Sequence, residues 1–183
     1  MSGSDDSARV RRFRALHAEI YPDLLRFVER RVPPSEAEDI VSTVFLTAWR
    51  RLDSVPADAR PWLFAVGHRT MANHRRAWLR RKALDIRLVS LDGPAYGDDT
   101  VGAAARIDLE RAWRGLRPGD REVLALVAFD GLTADQAATV LGCRRSTFAM
   151  RLSRARERLR AALEPAAAAR TDHPLTVLKE RQS

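Results

Sequence analysis

The side chains whose types and spacing point most directly to a chemistry are Arg144, Arg145, Thr147, Arg151 and Arg154. That chemistry is non-covalent. Guanidinium groups hold phosphate oxygens and reach base edges in a major groove. The stretch from Arg144 to Arg160 holds seven arginines and a single acid, Glu157, whereas an ordinary solvated helix interleaves both signs for pairing at i,i+4. Catalytic constellations are missing from the sequence: it has no glycine-rich phosphate loop, no G-x-S-x-G elbow and no Cys/His set at metal spacing. His68 and His74 lie six apart and read as part of a basic face. Cys143 is the single cysteine and reads as a filler of a turn, so neither a catalytic residue, a cofactor nor a metal is expected.

The elements that must position these arginines are legible in LTADQAATVLGCRRSTFAMRLSRARERLR. Thr133 and Gln136 have the S/T-x-x-E/Q spacing of a capping box, which satisfies the first amides of a helix. Ala137, Val140 and Leu141 give that helix an apolar face, and Gly142 ends it. A second helix carries Phe148, Leu152, Ala155 and Leu159 at spacings of four, three and four, with the arginines opposite. Two helices around a tight turn, the second arginine-rich, form a helix-turn-helix; a merely solvated helix face is the plainer alternative.

A second basic stretch runs from Arg60 to Leu84 without one acidic residue. It offers Arg60, Arg69, Arg75, Arg76, Arg80, Arg81 and Lys82, interleaved with Trp62, Phe64 and Trp78. Cations for a backbone and aromatic rings for bases suit single-stranded or melted nucleic acid. Phe64 reads as a core anchor instead, and Trp62 fits either role. The whole chain of 183 residues has a formal net charge of +8 and an isoelectric point near 10.9, which favours a polyanionic partner. Its longest apolar run, Val123 to Phe129, is far too short to span a bilayer. The start, MSGSDDSARVRRF, lacks the apolar stretch of a signal peptide. With one cysteine, a reducing cytoplasmic location is expected.

The periodicity is helical almost throughout, predicting an all-α fold of two small helical domains joined by a flexible linker, the C-terminal one a helix-turn-helix. Residues 1–8 are expected to be disordered, and 9–82 to form the first domain. Within it, Phe13, Leu16, Ile20, Tyr21, Leu24, Leu25 and Val28 lie on an arm interrupted near Pro22. A capping box at Ser35 and Glu38 opens a helix with Val41, Val44, Phe45, Ala48 and Leu52 inward. After a polar loop, Pro61 sits in the first turn of a helix with Leu63, Val66, Thr70, Asn73 and Ala77 inward. Residues 83–105, with LDGPAYGDDTVGAA, read as the linker. The second domain, 106–164, has Leu109, Trp113 and Leu116 as buried positions of its first helix, then Val123, Leu124, Leu126 and Val127 as core. Residues 165–183 form a tail, whose Leu175, Val177 and Leu178 could fold back on one domain.

These blocks, in this order, resemble bacterial RNA polymerase sigma factors of the extracytoplasmic-function group, the compact type with only the second and fourth sigma regions. The resemblance runs from Ile20 to Leu163. It rests on YPDLLRFVERR, EDIVSTVFLTAWRRLDSV and RPWLFAVGHRTMANHRR for the second region, and on LRPGDREVLALVAFDGLTADQAATVLGCRRSTFAMRLSRARERLR for the fourth. It implies a protein that performs no chemistry itself but binds core RNA polymerase and promoter DNA, is held by an anti-sigma protein, and inserts in no membrane. Polymerase contact is implied at Asp39, Ser42, Thr43 and Phe45. Contact with the −10 element is implied at Asp53, Arg60, Trp62, Arg69, Asn73, Arg75 and Arg76, with a flipped base captured by the loop from Asp53 to Arg60. Contact with the −35 element is implied at Arg144, Arg145, Thr147, Arg151 and Arg154. The chain departs from the family pattern at Ser42 and Thr43 (commonly Gln and Glu), at Arg69 and Asn73 (usually Asn and Asp), and at Arg144 and Arg145 (typically Ser and Glu). The last change removes a capping hydroxyl, and Ser146 is expected to cap one turn later. Two other readings are a free-standing helix-turn-helix regulator and an RNA-binding helical protein.

Overall fold

The computed structural model describes residues 2–82 and 100–171, with side chains over 6–76 and 106–164. Among the described residues, seven α-helices and one short 3-10 turn follow in order: α1 (Ser2–Glu29), α2 (Pro34–Arg50), η1 (Leu52–Ser54), α3 (Ala59–Lys82), α4 (Thr100–Gly115), α5 (Pro118–Ala128), α6 (Ala134–Leu141) and α7 (Arg145–Thr171). Among the described residues there is no strand. The expected linker lies mostly outside the described residues, as does the apolar part of the tail. Helix begins at Thr100 and continues to Thr171, inside the stretches read as linker and tail.

Packing does not follow chain order. Of the described residues, one compact unit joins 2–82 with 126–148, and the other joins 100–125 with 149–171.

In the first unit, α1, α2 and α3 pack pairwise, and α6 packs against α3. The helix α1 starts at Ser2, so the expected disordered start is helical. It also passes unbroken through Pro22. Proline there removes one amide donor and strains the preceding turn, but Ile20, Leu24, Phe27 and Val28 on either side are buried to 4% exposure or less, and burial of such side chains contributes about 1.5–3 kcal/mol each. Pro33 and Pro34 then decide where α2 begins. A residue before proline is pushed out of the helical region, and Pro33 takes φ −56 and ψ 142. Pro34 supplies the first helical φ. The N-cap is therefore Pro33, without a side-chain cap bond, and the expected box at Ser35 and Glu38 does not form. Glu36 sits in the first turn, where the helix dipole favours an acid.

Ala37, Ile40, Val41, Val44, Phe45 and Ala48 make the buried stripe of α2. On α3 the buried positions include Leu63, Phe64, Ala65, Val66 and Met71; Asn73, read as inward, is exposed. Phe27 and Phe64 stack with centroids 4.5 Å apart. At Gly67 a Cβ would meet Leu24 Cδ1 at 3.4 Å, Phe27 Cε1 at 3.5 Å and Val44 Cγ2 at 3.7 Å. A small residue there lets the three helices approach around that core.

In the second unit, Ala112, Leu116, Val123, Leu124, Leu152 and Ala155 are buried. Of the three positions expected inward, Leu116, just past the end of α4, is buried, Trp113 is half-buried and Leu109 is exposed; α4 itself faces inward through Ala112. Arg158 Nη1 donates to both oxygens of Asp120, each at 2.8 Å, tying α7 to the first turn of α5.

Candidate nucleic-acid interface

The turn that presents the arginines of α7 is built from local bonds. Thr133 Oγ1 accepts from the Gln136 amide at 3.3 Å, and Gln136 Oε1 accepts from the Thr133 amide at 3.1 Å. That is the reciprocal capping box expected from the sequence. At the other end of α6, Gly142 takes φ 62, a left-handed conformation that costs glycine nothing. Its amide bonds to the Thr139 carbonyl, and the Cys143 amide to that of Ala138, at 3.2 and 3.0 Å. Two such bonds make a Schellman ending, so the chain reverses within two residues. The amide of Phe148 bonds to the Arg144 carbonyl at 3.0 Å, which makes Arg144 the residue before the first turn of α7. Ser146, expected to cap, falls inside that turn.

Phe148, Leu152 and Ala155 are buried along one side of α7, at 0, 9 and 0% exposure. Around that stripe Arg144, Arg145, Arg151 and Arg154 are all exposed, and Thr147 is half-buried. Arg145 is already partnered: its Nε lies 3.3 Å from Asp135 Oδ1. Among the described residues no acid pairs with the other three.

On α3 the spacing of seven, four and three places Trp62, Arg69, Asn73 and Arg76 on one stripe. Trp62 is half-buried, and the other three are exposed. Arg76 Nη2 donates to Asn73 Oδ1 at 2.7 Å, which orients the amide at the centre of the stripe. Arg75 is exposed but off the stripe. His74 Nδ1 contacts Glu36 Oε2 at 3.2 Å. Arg60 is turned away from this face. Its Nε donates to Asp23 Oδ2 at 3.1 Å, its Nη2 donates to the Asp130 carbonyl at 2.7 Å, and its guanidinium lies 4.7 Å from the centroid of the Phe64 ring. The hydrogen bond from Arg26, helped by Arg60, holds the Asp23 carboxyl below its ordinary range despite a partial desolvation penalty.

Asp53 stands at the mouth of the loop between α2 and α3, its side chain 81% exposed. Sequence reading missed what holds it. Arg9 donates to Asp53 Oδ2 at 2.7 Å and to the Trp49 carbonyl at 2.9 Å, and Arg12 donates to the Val55 carbonyl at 3.1 Å. Both arginines belong to the arm of α1, and only the basic run RVRRFR hinted at them.

Of the positions implied for polymerase, Asp39, Ser42 and Thr43 lie exposed on α2, with Thr43 Oγ1 donating to the Asp39 carbonyl at 2.9 Å. Phe45 is 4% exposed and forms the floor of a groove of about 370 Å³ between α1 and α2, lined also by Phe13, His17, Tyr21, Ser42, Leu46 and Trp49. Edge-to-face and tilted ring contacts hold it open: Phe13 on Trp49 at 5.2 Å and His17 on Phe45 at 4.4 Å. Leu46 at its rim is 48% exposed. Among the described residues no group of His, Cys, Asp and Glu could hold a metal ion, and no helix is long and apolar enough to cross a membrane.

Comparison with known proteins identifies the family. Residues 16–83 match the model of sigma-70 region 2, and residues 106–159 match that of sigma-70 region 4. The chain is 34% identical over 142 residues to the RNA polymerase sigma factor NccH of Alcaligenes xylosoxydans xylosoxydans, covering 73% of this chain and 76% of that protein. It is 32% identical over 163 residues to the ECF RNA polymerase sigma factor SigC of Mycobacterium tuberculosis, covering 83% and 85%. Among solved structures it resembles the sigma factor RpoE in complex with the anti-sigma factor NepR from Bartonella quintana, at 26% identity and a TM-score of 0.63, covering 83% of this chain and 96% of that one. It also resembles CnrH in complex with the cytosolic domain of CnrY, at 29% identity and a TM-score of 0.55, covering 84% and 88%. With both regions matched in order and relatives aligned over most of their length, the chain belongs to the sigma-70 family of RNA polymerase sigma factors, in its extracytoplasmic-function group.

Proposed function

We propose that this sigma factor joins core RNA polymerase and directs it to promoters through two separate DNA-reading faces. The observation that carries the reading is the ordered pair of matches, region 2 at 16–83 and region 4 at 106–159. A free-standing helix-turn-helix regulator would need only the second. The protein catalyses nothing; it positions an enzyme that does, in the cytoplasm where that enzyme works.

In the proposed division of labour, Arg144, Arg145, Thr147, Arg151 and Arg154 enter the major groove at the −35 element. Trp62, Arg69, Asn73 and Arg76, with Arg75 beside them, hold the −10 strand. Asp53 and Arg60 border the loop that takes a flipped base. Extruding a base costs a few kcal/mol, and stacking on an aromatic ring returns about 1–3 kcal/mol per base, so the pocket and the backbone contacts together offset it. Asp39, Ser42, Thr43 and the aromatic groove around Phe45 face the polymerase. The two similar solved structures are complexes with an anti-sigma factor and with the cytosolic domain of CnrY, and we extend a partner of that kind to this chain.

Run-off transcription with purified core polymerase over a library of promoter-like DNA tests the reading. Initiation only with this chain added, at sites sharing two spaced elements, is the expected result. Sequence-specific binding without initiation would return the free-standing regulator.

A further inference from the structure

Asn73 stands at the centre of the exposed stripe on α3, and its amide is set in one orientation. Arg76 Nη2 donates to it at 2.7 Å. A guanidinium carries only N–H donors, so the atom it meets must be the carbonyl oxygen, Oδ1. The Nδ2 amine, with its two N–H donors, is the end left to a ligand. Both side chains are exposed, and an i,i+3 bond on a helix surface contributes little to stability. Its consequence is orientation: an amide that could offer either end offers its donor.

The neighbours on the stripe supply no acceptor to balance it. Arg69 lies four residues before Asn73 and Arg76 three after. A base set over Asn73 therefore has a guanidinium on either side, within about 10 Å of helix. No acid occurs from Arg60 to Lys82. Glu36, which α2 brings to α3, lies against His74 Nδ1 at 3.2 Å. Thr70, half-buried beside the stripe, gives its hydroxyl proton to the Val66 carbonyl at 2.9 Å. Oδ1 of Asn73 keeps a second lone pair, but an amino group approaching it would meet the Arg76 donors at the same point.

Base edges differ in the property that such a surface selects. Guanine shows two acceptors, O6 and N7, and thymine shows O4, whereas adenine and cytosine each show an amino donor. A donor set against a donor leaves both unpaired, which costs more than a contact that is merely missing.

We propose that Asn73 is a specificity-determining residue for the −10 element: held by Arg76, it selects a keto base, guanine above thymine, over adenine and cytosine. The inference rests on the −10 reading of α3 given above.

The test uses holoenzyme assembled from the full chain and purified core RNA polymerase. Its affinity is measured by fluorescence anisotropy for a −10 fork DNA built on an initiating promoter, each non-template position carrying each of the four bases in turn. At one position guanine and thymine should bind tighter than adenine and cytosine, by about fivefold or more. Asn73→Asp puts acceptors in place of the amine and should turn that preference toward cytosine and adenine, at the same position and no other. Arg76→Ala lets the amide rotate and should narrow the preference. A keto preference that Asn73→Asp leaves unmoved, or no keto preference at any position, would overturn the inference while −10 binding stands. If Arg69→Ala combined with Asn73→Ala binds every fork as the parent does, the −10 reading of α3 itself falls.

Discussion

Removing Arg151 and Arg154 together should flatten the salt dependence of −35 binding by a calculable amount. The two lie three residues apart on α7 and are exposed, flanking the stripe of buried Leu152 and Ala155. Among the described residues no acid pairs with either as Asp135 does with Arg145, which leaves them to meet a phosphate. Each phosphate neutralised releases counterions and contributes about 0.9 to the slope of log affinity against log salt. Losing both lowers that slope by about 1.8. Between roughly 50 and 200 mM salt, a fourfold change, the parent should lose about 12-fold more affinity than Arg151→Ala with Arg154→Ala. Alanine favours the helix at both positions, so a fold defect is not the expected cause. The assay is fluorescence anisotropy of a labelled −35 duplex across a salt series. Parallel lines for parent and variant, with or without an offset, would refute phosphate contact at these positions.

The same series run on Arg144→Ser with Arg145→Glu should also be shallower than the parent, and an unchanged slope would show that these two departures from the family pattern add no backbone contact. Phe64→Ala should cost about 3–5 kcal/mol of stability in urea denaturation, because Phe64 is wholly buried and stacks on Phe27; a loss under 1 kcal/mol would mean that the three-helix core closes around the gap. Arg12→Ala removes the hydrogen bond to Val55, worth about 0.5–1.5 kcal/mol, and should weaken binding of a −10 oligonucleotide by the holoenzyme roughly two- to tenfold while leaving −35 affinity alone. Asp23 has its carboxyl lowered by Arg26 and then Arg60, so its stabilising contribution is present above its ordinary value of 3.8 and is lost as pH falls through the lower folded value. Asp23→Asn should therefore show less acid destabilisation in that window than the parent, and identical acid profiles would contradict the pairing.

What the sequence determined by itself is whatever closes within one or two turns of chain. The capping box at Thr133 and Gln136, the left-handed Gly142, the apolar stripe of Phe148, Leu152 and Ala155, and the arginines opposite them all follow from bonds and periodicities spanning at most four residues. Family membership was legible for a related reason: both regions carry their motifs in contiguous blocks. Even local rules competed, however, and Pro33 took the N-cap from Ser35 because two adjacent prolines constrain φ more tightly than a serine hydroxyl rewards a cap.

Only the tertiary structure decided how residues distant in the chain are spent. Arg60 reads as one more cation in an acid-free stretch, yet it is committed to Asp23 and Asp130, 37 and 70 residues away. Asp130 reads as half of a polar turn, yet it is buried against arginines 100 and 99 residues distant. Pro22 reads as a break, yet α1 continues through it because buried neighbours on both sides outweigh one missing donor. In each case the free energy lies in contacts that exist only after the helices pack, and no window of sequence contains both partners.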